Sequence, residues 1–236
     1  MSSVFSTRPP SFSEPEITEI LAAQFGLSGQ SSELYSERDQ NFLIQSNSDQ
    51  KYVLKISNPE ERREILDLQN EATLFIHSQD SNFGVPLQIG EIIEFEKDGQ
   101  TYFVRLIEYL DGQFLKDSTM SDPDHENLGE FLGKLSQSLA GFSHPAADRE
   151  FEWDVRTTNL IKSRLDYLGS ESEKKTVTHF LNEYEKNILP IGNELRMAVI
   201  HNDGNDHNVL INDKGKTTGI IDFGDMVYSY QAAEPA

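Results

Sequence analysis

Two short polar motifs near the end of the chain constrain this sequence more than any other feature. The first, at residues 201–208, reads His-Asn-Asp-Gly-Asn-Asp-His-Asn, and the second, at residues 221–224, reads Ile-Asp-Phe-Gly. Asp203 is followed five residues later by Asn208, and Asp222 ends the second strand of a predicted hairpin between the motifs. The pattern therefore predicts two carboxylates and one amide side chain that meet at the end of that hairpin.

These three side chains match what phosphoryl transfer requires. A carboxylate has to orient and deprotonate the attacking hydroxyl, and oxygen ligands have to hold the metal ion that bridges the phosphates. Mg²⁺ needs few protein carboxylates when phosphate oxygens and water complete its shell. We therefore interpret Asp203 as the catalytic base, and Asn208 and Asp222 as Mg²⁺ ligands.

The order of the motifs resembles the aminoglycoside phosphotransferase-like branch of the protein-kinase-like superfamily. The catalytic loop of that family usually reads His-Gly-Asp, four variable residues and Asn, and its metal loop begins Asp-Phe. Asn202 stands here where the family has glycine. The string His-Asn-Asp followed by Asn-Asp is similar to kinase-like domains fused to class III aminotransferases, which are relatives of hydroxylysine kinase. The resemblance runs from about Leu34 to Tyr228.

The resemblance implies an α+β, two-lobed protein-kinase-like fold that binds ATP and Mg²⁺. In the family, a strand lysine holds the α- and β-phosphates and pairs with a helix glutamate. Lys55 lies in an apolar strand and Glu71 in the following helix, so they are the expected pair. Either charge alone would be typical of an exposed position. Their order before the catalytic loop favours the paired interpretation.

Two further ATP contacts are implied by the resemblance. The loop at residues 36–41 is expected to cover the phosphates, with Ser36 as the candidate contact, although the loop contains no glycine. A plain hairpin turn is the alternative reading of this loop. Backbone groups near Glu108 and Leu110, at the expected hinge between the lobes, are predicted to bind the adenine edge.

Hydrophobic periodicity and turn residues predict the elements. Residues 1–110 are expected to form an N-terminal lobe with an antiparallel sheet and a helix, and residues 111–236 a helical C-terminal lobe that carries both loops. The sequence at 232–236 is typical of a helix start, so this lobe is expected to be incomplete. Predicted helices follow Ser13 up to Gly26 and cover 59–78, 122–139, 155–168 and 171–189; predicted strands cover 32–35, 41–45, 52–56, 87–95, 101–108, 209–211 and 218–221.

Composition excludes several classes of protein. The chain has no cysteine, so it carries no disulfide framework and no thiolate metal site. Lys and Arg number 20 against 40 Asp and Glu, and the resulting formal charge of −20 repels nucleic acids and anionic membrane surfaces. This charge is compatible with a cationic substrate such as an amino alcohol, and it also favours solubility. A cytoplasmic location is the simplest prediction.

Two local patterns have more than one reading. His201 and His207 flank acidic residues and could bind zinc, but the spacing favours His201 as a residue that fixes the loop through backbone hydrogen bonds. Trp153-Asp154 is similar to an element that precedes the substrate-pocket helices in this branch. A core aromatic followed by a helix-capping aspartate is the favoured alternative.

The sequence thus predicts an ATP-dependent phosphotransferase that acts on a hydroxyl of a small, amine-bearing metabolite. The acidic balance and the resemblance to the fused kinase-like domains support the amine. The alternative is a non-catalytic nucleotide-binding or regulatory module of a larger enzyme, favoured by the missing glycine loop. The resemblance also implies a covalently linked C-terminal domain that depends on pyridoxal phosphate.

Overall fold

A five-stranded antiparallel sheet forms the first part of the molecule. The computed structural model of this protein describes residues 7–235, so residues 1–6 and 236, at the outer ends of the two predicted lobes, lie outside it. The strands lie in the order β1-β2-β3-β5-β4. The elements of this part are α1 (Glu14–Phe25), β1 (Gly29–Leu34), β2 (Gln40–Ser46), β3 (Lys51–Ile56), α2 (Arg63–Gln79), β4 (Gln88–Lys97) and β5 (Gln100–Glu108).

Local signals set the bounds of α1 as predicted. Ser13 and Glu16 form a reciprocal capping box at the N-terminus of the helix. Gly26 ends it in the left-handed conformation, with φ of 62°, which glycine adopts without steric cost. A two-residue turn at Asp98 and Gly99, both with positive φ, joins β4 to β5.

Helix α2 begins at Arg63, four residues later than the predicted start at 59. The preceding segment is a loop because Asn58 uses its polar groups to bind other loops. Its backbone N–H donates to Asp39 Oδ1 (3.0 Å), and its side chain donates to the carbonyl of Arg38 (3.2 Å). Asn58 is 1% exposed, so this bracing is internal to the fold.

The second part of the molecule is mainly helical and carries two small sheets. The predicted helix at 155–168 is shorter than expected, since it covers Thr158–Ser163 and is followed by a 3-10 turn. Two strands that were not predicted, Met197–Ile200 ahead of the catalytic loop and Val227–Tyr230 after the second motif, pair antiparallel with each other. The elements are β6 (Gln113–Phe114), α3 (Asp122–Ser138), α4 (Thr158–Ser163), α5 (Glu171–Asn187), β7 (Met197–Ile200), β8 (Val209–Ile211), β9 (Thr217–Ile220) and β10 (Val227–Tyr230).

The molecule has two hydrophobic cores, and α2 contributes to the second of them. The first core lies between α1 and the sheet and includes Ile17, Ile44 and Leu106. The second lies among α2, α3 and the β8–β9 hairpin, and α2 contributes Leu68 and Ile76 to it. Helix α2 belongs to the first 110 residues by sequence, yet its buried residues Leu68 and Ile76 pack in the core of the second part, called the catalytic half below because it carries both polar motifs. Helix α2 contacts the sheet through polar side chains instead, since Arg105 on β5 donates to Gln69 and Asn70.

None of the helices within residues 7–235 is long and apolar enough to cross a lipid bilayer.

Candidate active site

The side chain of His201 forms hydrogen bonds to the backbone of both polar loops. Its ring is fully buried, its Nε2 donates to the carbonyl of Ile221 (3.0 Å), and its Nδ1 accepts from the backbone N–H of Asp203 (3.2 Å). Burial lowers the pKa of His201 to about 4, so the ring is neutral with its proton on Nε2. The predicted role of His201 in fixing the loop is confirmed.

The zinc interpretation of these histidines finds no support in the geometry. His207 is exposed, and its Nε2 lies 4.0 Å from Asp206 on the surface of the same loop. Across residues 7–235, no three His, Asp or Glu side chains are grouped so that they could hold a metal ion.

The carboxylate of Asp203 is oriented by two amide side chains. Its Oδ1 accepts from Asn205 Nδ2 (2.6 Å) and its Oδ2 from Asn208 Nδ2 (2.7 Å). Burial raises the pKa of Asp203 to about 6, and the negative charges of Asp225 and Asp222 add to this effect. A carboxylate with a pKa near neutrality is well suited to take a proton from a hydroxyl.

Asn208 connects the catalytic loop to the second motif. Its side-chain NH₂ is used by Asp203, and its backbone carbonyl accepts from the N–H of Ile221 (2.9 Å). Because the amide nitrogen binds Asp203, the side-chain oxygen Oδ1 is the atom of Asn208 that could ligate a metal ion.

Asp222 lies between the two parts of the molecule. Lys55 on β3 places its ammonium 3.6 Å from Asp222 Oδ1, and this charge lowers the pKa of Asp222 to about 2. Asp222 has a φ of 62°, a left-handed conformation that is uncommon for a non-glycine residue and that recurs at functional sites. An ionised carboxylate and an amide oxygen are the hard donors that Mg²⁺ takes when phosphates supply its other ligands. The residues present therefore fit such an ion.

Asn202 also explains a departure from the usual loop pattern. Its φ is 67°, in the left-handed region where glycine is unstrained. Asparagine is among the residues that tolerate this conformation best. The position therefore accepts Asn in place of Gly with the same backbone path.

The predicted ion pair between Lys55 and Glu71 is not formed. Glu71 is turned outwards, with a side chain that is 60% exposed and lies 3.9 Å from His144 Nε2. Arg105 on β5 is the cross-strand neighbour of Lys55. Arg105 is buried and donates to Gln69 and to Asn70, which precede Glu71 on α2. Helix α2 thus presents amides to a buried arginine where a carboxylate was expected to face the lysine.

The loop between β1 and β2 reaches the second motif through an arginine. Ser36, the predicted phosphate contact, has its hydroxyl turned to the loop itself, where it accepts from the N–H of Asp39 (3.2 Å). Arg38 Nη2 donates to Asp225 Oδ1 across 2.8 Å. Sequence reasoning missed Arg38, although a basic residue in the loop expected to cover phosphates was an available signal.

The segment predicted to bind adenine lies at the end of β5. The N–H of Glu108 donates to the carbonyl of Leu87 (2.9 Å), and its carboxylate accepts from the N–H of Leu87 (3.3 Å). Leu110 packs on β9, with its Cδ1 3.3 Å from the position that a Cβ on Gly219 would take. The segment therefore lies above the hairpin that carries the catalytic groups, and the adenine contacts of Glu108 and Leu110 stay a prediction.

Comparison with known sequences identifies the family. The sequence profile of the "Phosphotransferase enzyme family" matches residues 33–236, which is most of the chain. The chain belongs to this family. It is thus a phosphotransferase by descent, in agreement with the resemblance noted in its two polar motifs.

Two curated relatives each share less than a third of their aligned residues with this phosphotransferase. The hydroxylysine kinase of Xenopus laevis is 29% identical over 260 residues, covering 96% of this chain and 68% of the relative. That of Danio rerio is 27% identical over 239 residues, covering 94% of this chain and 67% of the relative. The chain therefore spans about two thirds of the length of these curated relatives.

Solved structures with the same fold include two kinases of small molecules. An amicoumacin kinase, solved in complex with AMP-PNP, Ca²⁺ and Ami, has a TM-score of 0.67 at 14% identity, covering 94% of this chain and 67% of that one. A microcompartment-associated aminopropanol kinase has a TM-score of 0.65 at 17% identity, covering 91% and 71%. The predicted α+β, protein-kinase-like fold is confirmed.

Near the catalytic loop of this phosphotransferase, Trp153 is exposed and Asp154 is buried. The predicted core position of Trp153 is wrong, since the residue is 67% exposed and its carbonyl accepts from Asn202 Nδ2 (3.4 Å). Asp154 accepts from the N–H of Arg156 (3.0 Å) and from the hydroxyl of Ser229 (2.6 Å). Asp154 therefore caps a turn ahead of α4 and connects it to β10, whereas Trp153 contacts the catalytic loop through its backbone carbonyl and has an exposed side chain.

Two charged residues that sequence reasoning missed, one buried and one partly buried, hydrogen-bond to the backbone of these loops. Glu234 Oε2 accepts from the N–H of His201 across 2.6 Å, and the N–H of Asn202 also donates to this carboxylate. Arg149 donates to the carbonyls of Gly224 and Met226, each at 2.8 Å. No sequence spacing links either residue to the loop that it holds.

Proposed function

We propose that this chain is an ATP-dependent kinase that transfers the γ-phosphate to a hydroxyl of a small, amine-bearing metabolite. The observation that carries the proposal is the joint placement of Asp203, Asn208 and Asp222 at the end of the β8–β9 hairpin, with Lys55 on Asp222. A base, two oxygen ligands and a phosphate-binding cation are the groups that in-line transfer from ATP requires.

We assign the binding of ATP and Mg²⁺ to both parts of the molecule. Asn208 Oδ1 and Asp222 would hold Mg²⁺, which neutralises charge on the phosphates during transfer. Lys55 would bind the phosphates, because its ammonium already lies beside the metal-binding carboxylate. Backbone groups near Glu108 and Leu110 would contact adenine, and Ser36 remains in the loop that covers the phosphates.

Two observations on Asp203 support its assignment as the catalytic base. Its two side-chain hydrogen bonds fix the direction of the carboxylate, so that an acceptor hydroxyl has one preferred approach. The pKa of about 6 leaves the group mostly ionised at neutral pH and still able to accept a proton.

An amine-bearing acceptor is supported by charge and by the relatives. The chain carries a formal charge of −20, which attracts a cationic substrate. Trp153, whose carbonyl accepts from Asn202 of the catalytic loop and whose side chain is exposed, could bind an ammonium group through a cation–π contact. The curated relatives described above are hydroxylysine kinases, which agrees with this class of acceptor.

The substitution Asp203→Asn tests the assignment of the base in the full gene product. We expect Mg²⁺-dependent ATP binding to persist, because the change is isosteric, and turnover with amino alcohols to fall by about 10²-fold or more. Asp206→Asn is the matched control, since Asp206 is an exposed carboxylate of the same loop, and it should retain turnover within a few-fold. Full turnover by the Asp203 variant would contradict the proposal.

The alternative, a non-catalytic nucleotide-binding module, is separated by the same assays. ATP binding without turnover over a panel of amino alcohols and neutral diols would favour it. If the unaltered protein does not bind ATP, both the kinase and the non-catalytic module are contradicted. A linked domain that depends on pyridoxal phosphate and a cytoplasmic location both stay predictions.

A further inference from the structure

We propose that Arg38, held in position by Asp225, is the residue of the β1–β2 loop that binds the terminal phosphates of ATP. This inference rests on the proposed ATP-dependent function and assigns one more residue to its phosphate site. It gives the loop a binding group in place of the missing glycines and of the Ser36 hydroxyl.

The first support is the position of the guanidinium beside the proposed metal ligand. The point that a Cβ on Gly224 would occupy lies 3.3 Å from Asp222 Oδ1 and 3.6 Å from Arg38 Nη2. Lys55 Nζ lies 3.6 Å from the same Asp222 oxygen. Lys55 and Arg38, both from the first 110 residues, thus contact two neighbouring carboxylates of one loop, Lys55 that of Asp222 and Arg38 that of Asp225.

The second support is the chemistry of the group. A guanidinium offers five N–H donors in a planar fork that matches two phosphate oxygens, and it stays charged at any physiological pH. A chain of net charge −20 needs such local cations to hold a polyanionic nucleotide. Arg38 supplies one where the general field of the protein is unfavourable.

The third support is that the loop is braced without glycine. Asp39 accepts from the N–H of Asn58, and the Asn58 side chain donates to the Arg38 carbonyl. Asp225, whose side chain is 12% exposed, fixes the other end of Arg38 through its bond to Nη2. Arg38 is therefore oriented at both its backbone and its guanidinium, which reduces the entropy lost when a phosphate binds.

A purely structural contact between the two halves of the molecule is the competing explanation. The ion pair between Arg38 and Asp225 joins the β1–β2 loop to the Asp222 loop, and such a pair could act only as a brace. The two explanations differ in which nucleotides respond. If Arg38 contacts the terminal phosphates, its replacement weakens the binding of ATP more than that of AMP. If Arg38 is only a structural brace, its replacement weakens the binding of every nucleotide equally.

Calorimetric titration of ATP and AMP with Mg²⁺ into Arg38→Ala, Arg38→Lys and Asp225→Asn separates them. We expect Arg38→Ala to weaken the binding of ATP about 10- to 100-fold, the range for a lost charge-assisted hydrogen bond. The binding of AMP should weaken by less than about threefold. Arg38→Lys should fall between, since lysine keeps the charge and loses the fork. Asp225→Asn should weaken ATP less than Arg38→Ala does. Arg62→Ala, an exposed arginine of a nearby loop, is the control and should match the unaltered protein.

Each other outcome overturns a defined statement. Equal losses for ATP and AMP, the same in Arg38→Ala and Asp225→Asn, would leave Arg38 as a brace only. Normal ATP binding by Arg38→Ala in a protein that binds ATP would refute this inference and leave the proposed kinase function standing. Failure of the unaltered protein to bind ATP would refute the proposed function itself. Arg38→Lys keeps the test informative if Arg38→Ala does not fold, because it retains the charge opposite Asp225.

Discussion

Glu234 is a carboxylate buried against the backbone of the catalytic loop. It is 4% exposed and receives its hydrogen bonds from the N–H groups of His201 and Asn202 rather than from a cation. Burial raises its pKa from 4.5 to about 7, so the folded protein binds a proton that the unfolded chain has already lost between these values. The contribution of this group to stability is complete below about pH 4.5 and is lost as the pH rises through about 7.

The substitution Glu234→Gln removes the ionisable carboxyl group and should therefore reduce the pH dependence of the free energy of unfolding. Between pH 5 and pH 8, we expect the free energy of unfolding of the unaltered protein to fall by about 2 kcal/mol more than that of the glutamine variant. Groups common to both proteins cancel in the comparison. Urea unfolding at the two pH values measures the difference, and identical pH profiles would show that Glu234 ionises normally in the folded chain.

The residues that the sequence located and those that it missed differ in how they are specified. Asp203 and Asn208 are five residues apart in one loop, and Asp222 ends the paired hairpin, so local spacing alone brings them together. Glu71 and Arg38 depend on which face of α2 packs inwards and on how far a long side chain reaches. Those are properties of tertiary packing, and no spacing in the sequence reports them.

The loop between α2 and β4 packs on β9 with no space for a side chain. A Cβ on Gly84 would lie 2.0 Å from the carbonyl oxygen of Thr218, and the carbonyl of Gly84 accepts from the N–H of Ile220 (2.9 Å). This contact joins the segment ahead of the sheet edge to the strand that leads into Asp222. The close approach of two backbones requires glycine here.

Replacing Gly84 with alanine should therefore destabilise the protein by about 2–3 kcal/mol through overpacking. Gly129→Ala is the matched control, because a Cβ at that position in α3 meets nothing within 4 Å. It should raise stability by up to about 1 kcal/mol, since alanine is the better helix former. Chemical unfolding of both variants measures the contrast, and equal stabilities would show that the loop can move away from β9.

Elements with strong local signals were predicted well, and those defined by their partners were not. Helix α1 has a capping box and a terminal glycine, and its bounds agree with the prediction. Strand β10 has only four residues and exists because it pairs with β7. Helix α4 has a single buried residue, Thr158, so the apolar spacing that predicted a longer helix has no core to face. Pairing and burial decided these two elements, and both lie outside what periodicity can report.

At the scale of the whole molecule, α2 links the sheet to the core of the second part, because its side chains at 69 and 70 accept hydrogen bonds from Arg105 on β5. Because α2 contributes to the core that contains the β8–β9 hairpin, the sheet half and the catalytic half share a structural element beside the active site. The cations Lys55 and Arg38 extend from the sheet half to carboxylates of the catalytic half. The local positive charge for nucleotide thus comes from one side, within a chain whose formal net charge is −20.

This charge leads to a prediction about ionic strength and the acceptor. A negative protein field concentrates a cationic substrate near the surface, and salt screens that field over a Debye length of about 10 Å at 0.1 M. At saturating Mg-ATP, raising NaCl from about 20 mM to about 500 mM should raise the KM of an amino alcohol about threefold or more. The KM of a neutral diol of the same chain length should change little, which controls for effects of salt on the enzyme or on nucleotide binding. Steady-state rates with both acceptors at each salt concentration measure the difference. An equal response of the two KM values would show that the surface charge does not assist recognition of the amine, and that contacts at the site alone select it.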